Sequence, residues 1–255
     1  MFTATSLADW LRLKLPRDAY FKDVDYAFDE GITSSAKLQR RSKQIASTKA
    51  FRKWNTSKTS AALCINGHAD RDPPSATSFL SAMLAKTSGS EKVLVLTHFC
   101  ARHTGLKTVQ GHELEGPLLL LRALLAQILS VENLDRELLA DIDENHVRAM
   151  TDGSFEQYLE TFLDLLGKLT KMYKRILIIV DGIEYCHSDR QKEVKKVMRG
   201  LAKLAQGNPT ASIKPIILAW SHSAIFGRVK GVEVLNMPDD PGDNESVFDN
   251  IGDVR

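Results

Sequence analysis

The sequence predicts an α/β domain built on a parallel sheet with helices on both faces. Two observations carry this reading. Five short apolar runs, at 62–65, 93–96, 176–180, 216–220 and 232–235, punctuate the middle of the chain. Between them lie longer segments whose apolar residues recur at helical spacing. The middle three runs show no polar alternation, as expected of strands buried on both faces of a parallel sheet. Strands alternating with helices imply crossovers that lay helices above and below that sheet.

The elements follow in order. The leader, 1–58, reads as helical, and residues 31–69 hold eight bases and no acid: Lys37, Arg40, Arg41, Lys43, Lys49, Arg52, Lys53 and Lys58. Leu38, Ile45, Phe51 and Trp54 supply an apolar side, so the bases are expected on a solvated face, with Arg40, Lys43 and Lys53 in water. A basic leader could also touch nucleic acid or acidic lipid. No nucleic-acid motif and no interleaved aromatics accompany it, so nucleic acid is not the expected partner. After the first strand, Phe79, Leu80, Met83 and Leu84 pair at i,i+4. Residues 118–129 are apolar nearly all round, as in a buried helix. Ser154 with Gln157 matches a capping box ahead of the stripe Phe155, Tyr158, Leu159, Phe162, Leu163, Leu166 and Leu169. A last helix after Ser188 carries Val194, Val197, Met198, Leu201 and Leu204, and Gly207 with Pro209 ends it. The α/β domain spans 59–237, and 238–255 is an acidic linker or truncated tail with six acids among its residues.

Composition narrows the class. With 255 residues, 43% hydrophobic, 26% charged and a formal net charge of +2, the chain is an ordinary globular one. It is large enough to bury a core without staples. No apolar run approaches the ~20 residues of a membrane span, and no signal peptide is evident at the N-terminus. Three widely spaced cysteines, Cys64, Cys100 and Cys186, suit a reducing cytoplasmic interior. The seven histidines form no HxH or HxxxH pair, and no GxSxG elbow occurs.

In such a sheet, ligands sit beyond the carboxyl ends of the strands. A strand, a loop from Gly67 to Ser78, a helix, and much later an apolar strand ending in Asp181 form the outline of a P-loop NTPase. Trp54, Gly67, the stretch Thr97-His98-Phe99-Cys100-Ala101-Arg102, Gly116-Pro117 through Leu129, and Asp181-Gly182-Ile183-Glu184 together resemble the NACHT-like, or nephrocystin-like N-terminal, domains of fungal STAND NTPases. The resemblance spans about 10–238. It implies a five-stranded parallel sheet in the order 5-1-4-3-2. It also implies a nucleotide-driven switch whose parent protein continues into helical and repeat domains.

The departures from that pattern decide the functional expectation. No register of the first loop supplies the phosphate-binding lysine: the position falls on Pro73, Pro74 or Ala76. Prolines offer no N–H to a phosphate. Asp70 and Asp72 add like charge, each worth roughly 3 kcal/mol against a phosphate at about 6 Å and an effective dielectric near 20. Tyr185 stands where the resemblance implies a water-orienting acid, and His222 where it implies an arginine sensor after Ser221. The relic nucleotide set is therefore Gly67, Arg71, Ser75, Thr77 and Ser221, with Asp181 and Glu184 as a relic Mg²⁺ pair. Asp181 is equally a helix cap, and Gly67 equally a turn glycine.

The expected function is a non-catalytic P-loop module that works in signalling through other protein modules, including C-terminal repeats of a longer parent. No cofactor is expected. The alternative is a working switch that takes Mg-ATP or Mg-GTP through Arg71 and a helix N-terminus near Ser75. Pro73-Pro74 should delay the next helix to Ser75 or Ala76, with Asp70 or Asp72 capping its free N–H groups.

Overall fold

The computed structural model describes residues 2–13, 19–67, 75–103, 106–107, 113–114, 116–132, 134, 136–185, 190–207, 211–219 and 229–238. Four helices lead: α1 (Ala4–Trp10), α2 (Ala19–Thr33), α3 (Ala36–Ser47) and α4 (Lys49–Thr56). Hydroxyls start three of them. Thr3, Ser35 and Thr48 accept from the N–H groups of Ser6, Leu38 and Phe51, each satisfying a donor the helix itself cannot. Then follow β1 (Ala62–Asn66), α5 (Ala76–Thr87), β2 (Val93–Phe99), the short strands β3 (Leu106–Lys107) and β4 (Glu113–Leu114), and α6 (Gly116–Leu129). The chain continues through α7 (Glu144–Thr151), α8 (Phe155–Leu169), β5 (Arg175–Asp181), α9 (Gln191–Gly207), β6 (Ser212–Ala219) and β7 (Val232–Asn236).

The main sheet runs β2-β5-β6-β1-β7, parallel throughout. Counted along the chain, its five strands stand in the order 2-3-4-1-5, which is the expected 5-1-4-3-2 viewed from the other side. Continuous apolar runs arise because both faces are covered. Ile176, Ile178 and Val180 join a core with Leu124 of α6, Phe162 of α8 and Met198 of α9. Their neighbours Leu177 and Ile179 point the other way, into a core with Ile45, Phe51, Trp54, Leu80 and Leu84. The leader is thus part of one helical layer, beside α5. Arg40, Lys43 and Lys53 are exposed, as the sequence predicts. Arg41 is not: it is 6% exposed.

The edge strand β2 is flanked by α2. Gly31 lets α2 pack closely on α5, since a Cβ there would lie 2.0 Å from the Phe79 ring. The Gln127 side chain mimics a neighbouring strand. It accepts from Thr97 N at 2.8 Å and donates to Thr97 O at 2.7 Å, which blunts the open edge. At α8 the Ser154 hydroxyl accepts from Gln157 N. The Ser154 N–H donates instead to Ala149 O at 3.0 Å, so only half of the expected capping box forms.

Candidate functional site

Three strand ends meet where the fold places ligands. Gly67 N donates to Ala219 O at 2.7 Å, and Gly182 N donates to Leu218 O at 3.0 Å. The turns after β1 and β5 therefore both hang on the end of β6, which lies between them. Gly182 adopts φ +70°, and a Cβ there would sit 3.1 Å from the Tyr185 ring. A glycine directly after Asp181 is what allows the chain to turn there.

On the opposite side of this junction, α5 begins late. Ser75 is its N-cap, with extended backbone, and its Oγ accepts from Ser78 N at 3.1 Å. The helix starts at Ala76, as the prolines before it dictate. Asp70, Arg71 and Asp72 lie outside the described residues, as does Ser221; the described cap is the Ser75 hydroxyl. That hydroxyl also lies 2.7 Å from Thr77 Oγ1 and 2.9 Å from Ser78 Oγ. Ser78 Oγ in turn donates to Asp181 Oδ2 at 2.6 Å. The three hydroxyl side chains and Asp181 are all buried.

Asp181 is 3% exposed, and its Oδ1 has no hydrogen-bond partner among the described residues. Burial pushes its carboxyl up to about 7, and the charge of Glu184 adds to the rise; hydrogen bonds from Ser78 and Thr77 pull the other way. A carboxyl held there is half protonated near neutral pH. Glu184 sits on the single turn Ile183–Tyr185 beside it and is half-buried.

Ser78 is the functional position the sequence reading missed. Counting from Gly67 or across the prolines offers Ser75 or Thr77 as the hydroxyl, yet Ser78 is the one that touches the strand-end acid. The signal was local: a Ser three residues after an N-cap Ser stands one turn into the helix, facing the strand ends. In this register Thr77 occupies the lysine position, so the lysine is absent here too. The donor set is one hydroxyl and one carboxylate with an orphaned oxygen. Such hard oxygen donors suit Mg²⁺, which takes few protein ligands and completes its shell with water and phosphate. The residue before Ser78 is Thr77, not a lysine, and the described cation nearest the loop start is Arg41, on the Gly67 carbonyl.

The fold also gathers a polar cluster that the scattered histidines do not announce. Asp23 of α2 lies 2.6 Å from His103 Nε2 and 3.3 Å from Arg102 Nε. His98 stacks on His103, with ring centroids 5.1 Å apart. Burial and the neighbouring His103 push the His98 imidazole down to about 3, so it is neutral. This cluster pins α2 to the end of β2. A cavity of about 770 Å³ lies near it, along the outer edge of β2, walled by Phe21, Val24 and Lys86 on one side and Gln127 and Val131 on the other. Neither Ser78 nor Asp181 lines it.

A comparison with curated proteins finds no matching relative. The family model described as nephrocystin 3, N-terminal, matches residues 41–218. That span covers more than half of the chain, from Arg41 in α3 to the end of β6, and takes in both Ser78 and Asp181. The chain belongs to the nephrocystin 3 N-terminal family.

Proposed function

We propose that this chain is a non-catalytic P-loop NTPase-like module of the NACHT or STAND type, acting in signalling or protein interaction with nucleotide binding weak or lost. The observation that supports it is Thr77 directly before Ser78. The hydroxyl that touches Asp181 fixes the register, and the residue preceding it carries no charge for a β- or γ-phosphate. Tyr185 reinforces the reading, because a phenol that titrates near 10 is a poor base for water. Its expected partners are other protein modules. No helix among the described residues is long and apolar enough to cross a membrane, and a cytoplasmic setting suits the buried Cys64 thiol. Multiple-turnover phosphate release from Mg-ATP and Mg-GTP tests the reading. Release at background is the expected result; turnover that disappears in Asp181→Ala would overturn it.

One observation favours a second reading, a working nucleotide switch with an atypical loop. The Asp181 Oδ1, buried without a hydrogen-bond partner among the described residues, is an oxygen that a Mg²⁺-bound water would satisfy. In that reading Asp181 and Ser78 hold the ion, Mg²⁺ neutralises phosphate charge, and Arg71 with the α5 N-terminus holds the phosphates. A nucleic-acid role for the leader has less support, because α3 and α4 spend their apolar sides on the core.

A further inference from the structure

We propose that α3 is a latch coupling the loop after β1 to the exit of the chain at Pro238. Two consecutive residues of α3 grip the two flanks of that loop. Arg41 Nη2 donates to the Gly67 carbonyl at 2.9 Å, where the loop leaves β1. Ser42 Oγ donates to the Ala76 carbonyl at 2.7 Å, where the loop enters α5. The same Arg41 Nη2 donates to the carbonyl of Pro238, just past β7. Arg41 is 6% exposed and Ser42 is 0%. Residues 239–255 follow from that exit.

The geometry makes the three contacts interdependent. Both carbonyls are held by the two N–H groups of one nitrogen fixed in the guanidinium plane, so it cannot follow one carbonyl without leaving the other. The strand ends it bridges are also tied to each other. Met237 N donates to Asn66 O at 2.9 Å, and Asn66 Nδ2 donates to Asn236 Oδ1. Ser42 brings the far flank of the loop into the same unit, because it is the next residue on the same helix. Any event that displaces Gly67 or Ala76 must break a buried hydrogen bond or shift α3, and either is felt at Pro238. Coupling of this kind is reciprocal, so a load on the exit also reaches the loop. It needs no bound nucleotide and therefore stands or falls apart from the reading of the phosphate site.

Amide hydrogen exchange on the full chain tests it, with the Met237 amide as reporter and the Ile178 amide in the inner strand β5 as reference. Arg41→Lys keeps the charge and loses the fork. Ser42→Ala removes a hydroxyl that touches the loop flank and not β7. The Met237-to-Ile178 ratio of exchange rates is expected to rise on the order of tenfold in Arg41→Lys and about threefold in Ser42→Ala. Taking the ratio separates a local release from general destabilisation. An unchanged ratio in Arg41→Lys would show that the guanidinium bridge holds nothing at the exit. An unchanged ratio in Ser42→Ala would show that loop and exit are held separately. Either result overturns the latch.

Discussion

Two buried charged side chains stand at opposite ends of neighbouring strands, and they are treated differently. Lys214, near the start of β6, is 2% exposed, and its ammonium donates to Trp54 O at 2.6 Å and lies 5.9 Å from the centre of the Trp54 ring. Trp54 lies in the last turn of α4, where a cation meets carbonyls the helix leaves unpaired. Asp181, at the end of β5, has one oxygen bonded to Ser78 and the other bonded to nothing among the described residues. One charge completes a structural contact and the other is left half-finished. A satisfied buried charge belongs to the packing of the leader against the sheet; an unsatisfied one marks the candidate site.

This contrast can be broken at either end. One end is Lys214. Lys214→Ala removes buried methylenes and orphans the Trp54 carbonyl, so denaturant unfolding should show a loss of about 3 kcal/mol. Burial and the nearby Arg175 push the Lys214 ammonium down to about 8. The unfolded chain binds that proton up to about 10.5, so stability falls as pH drops from 10.5 through 8 and is level below. Lys214→Met should flatten that slope. A loss below 1 kcal/mol in the alanine variant would make the ammonium incidental to leader docking.

The expected effect at Asp181 has the opposite sign. Folded Asp181 holds its proton to about pH 7, whereas the unfolded chain releases it near 4. The folded state therefore binds more protons between pH 4 and 7, and stability declines as pH rises across that window, levelling above it. Asp181→Asn can still accept from Ser78 but has no proton to lose. At about 1.4 kcal/mol per unit over that three-unit gap, it should be about 4 kcal/mol more stable than the parent at pH 8 and nearly equal near pH 4. Destabilisation at both pH values would mean that the carboxylate is held by a counter-charge and that the two ends are alike.

Much of this architecture was legible in the sequence because burial on two faces writes itself as unbroken apolar runs. The runs at 93–96, 176–180 and 216–220 mark β2, β5 and β6, and their order followed from the resemblance rather than from periodicity. The two-residue strands β3 and β4 are too short to leave a pattern. The eight-residue α7 was missed as well, although Asp143 caps it by accepting from His146 N at 2.9 Å. Among the leader bases, charge alone could not separate Arg40 from Arg41. Helical spacing could have done so, since Arg41 stands three residues after Leu38 and four before Ile45, on the apolar stripe. Ser78 was hidden because the proline pair invites counting from the wrong loop residue. The distance from Ser78 to Asp181 spans 103 positions of sequence, and only the fold can close it.

The most direct test of the central claim is the melting temperature with millimolar Mg-ATP and Mg-GTP, compared with Mg²⁺ alone. A micromolar site would add about 4 kcal/mol at that excess and raise the Tm by roughly 10 °C for a domain of this size. The account predicts no shift with either nucleotide. A shift of that size, lost in Asp181→Ala, would contradict it and establish the Ser78–Asp181 pair as a working nucleotide site.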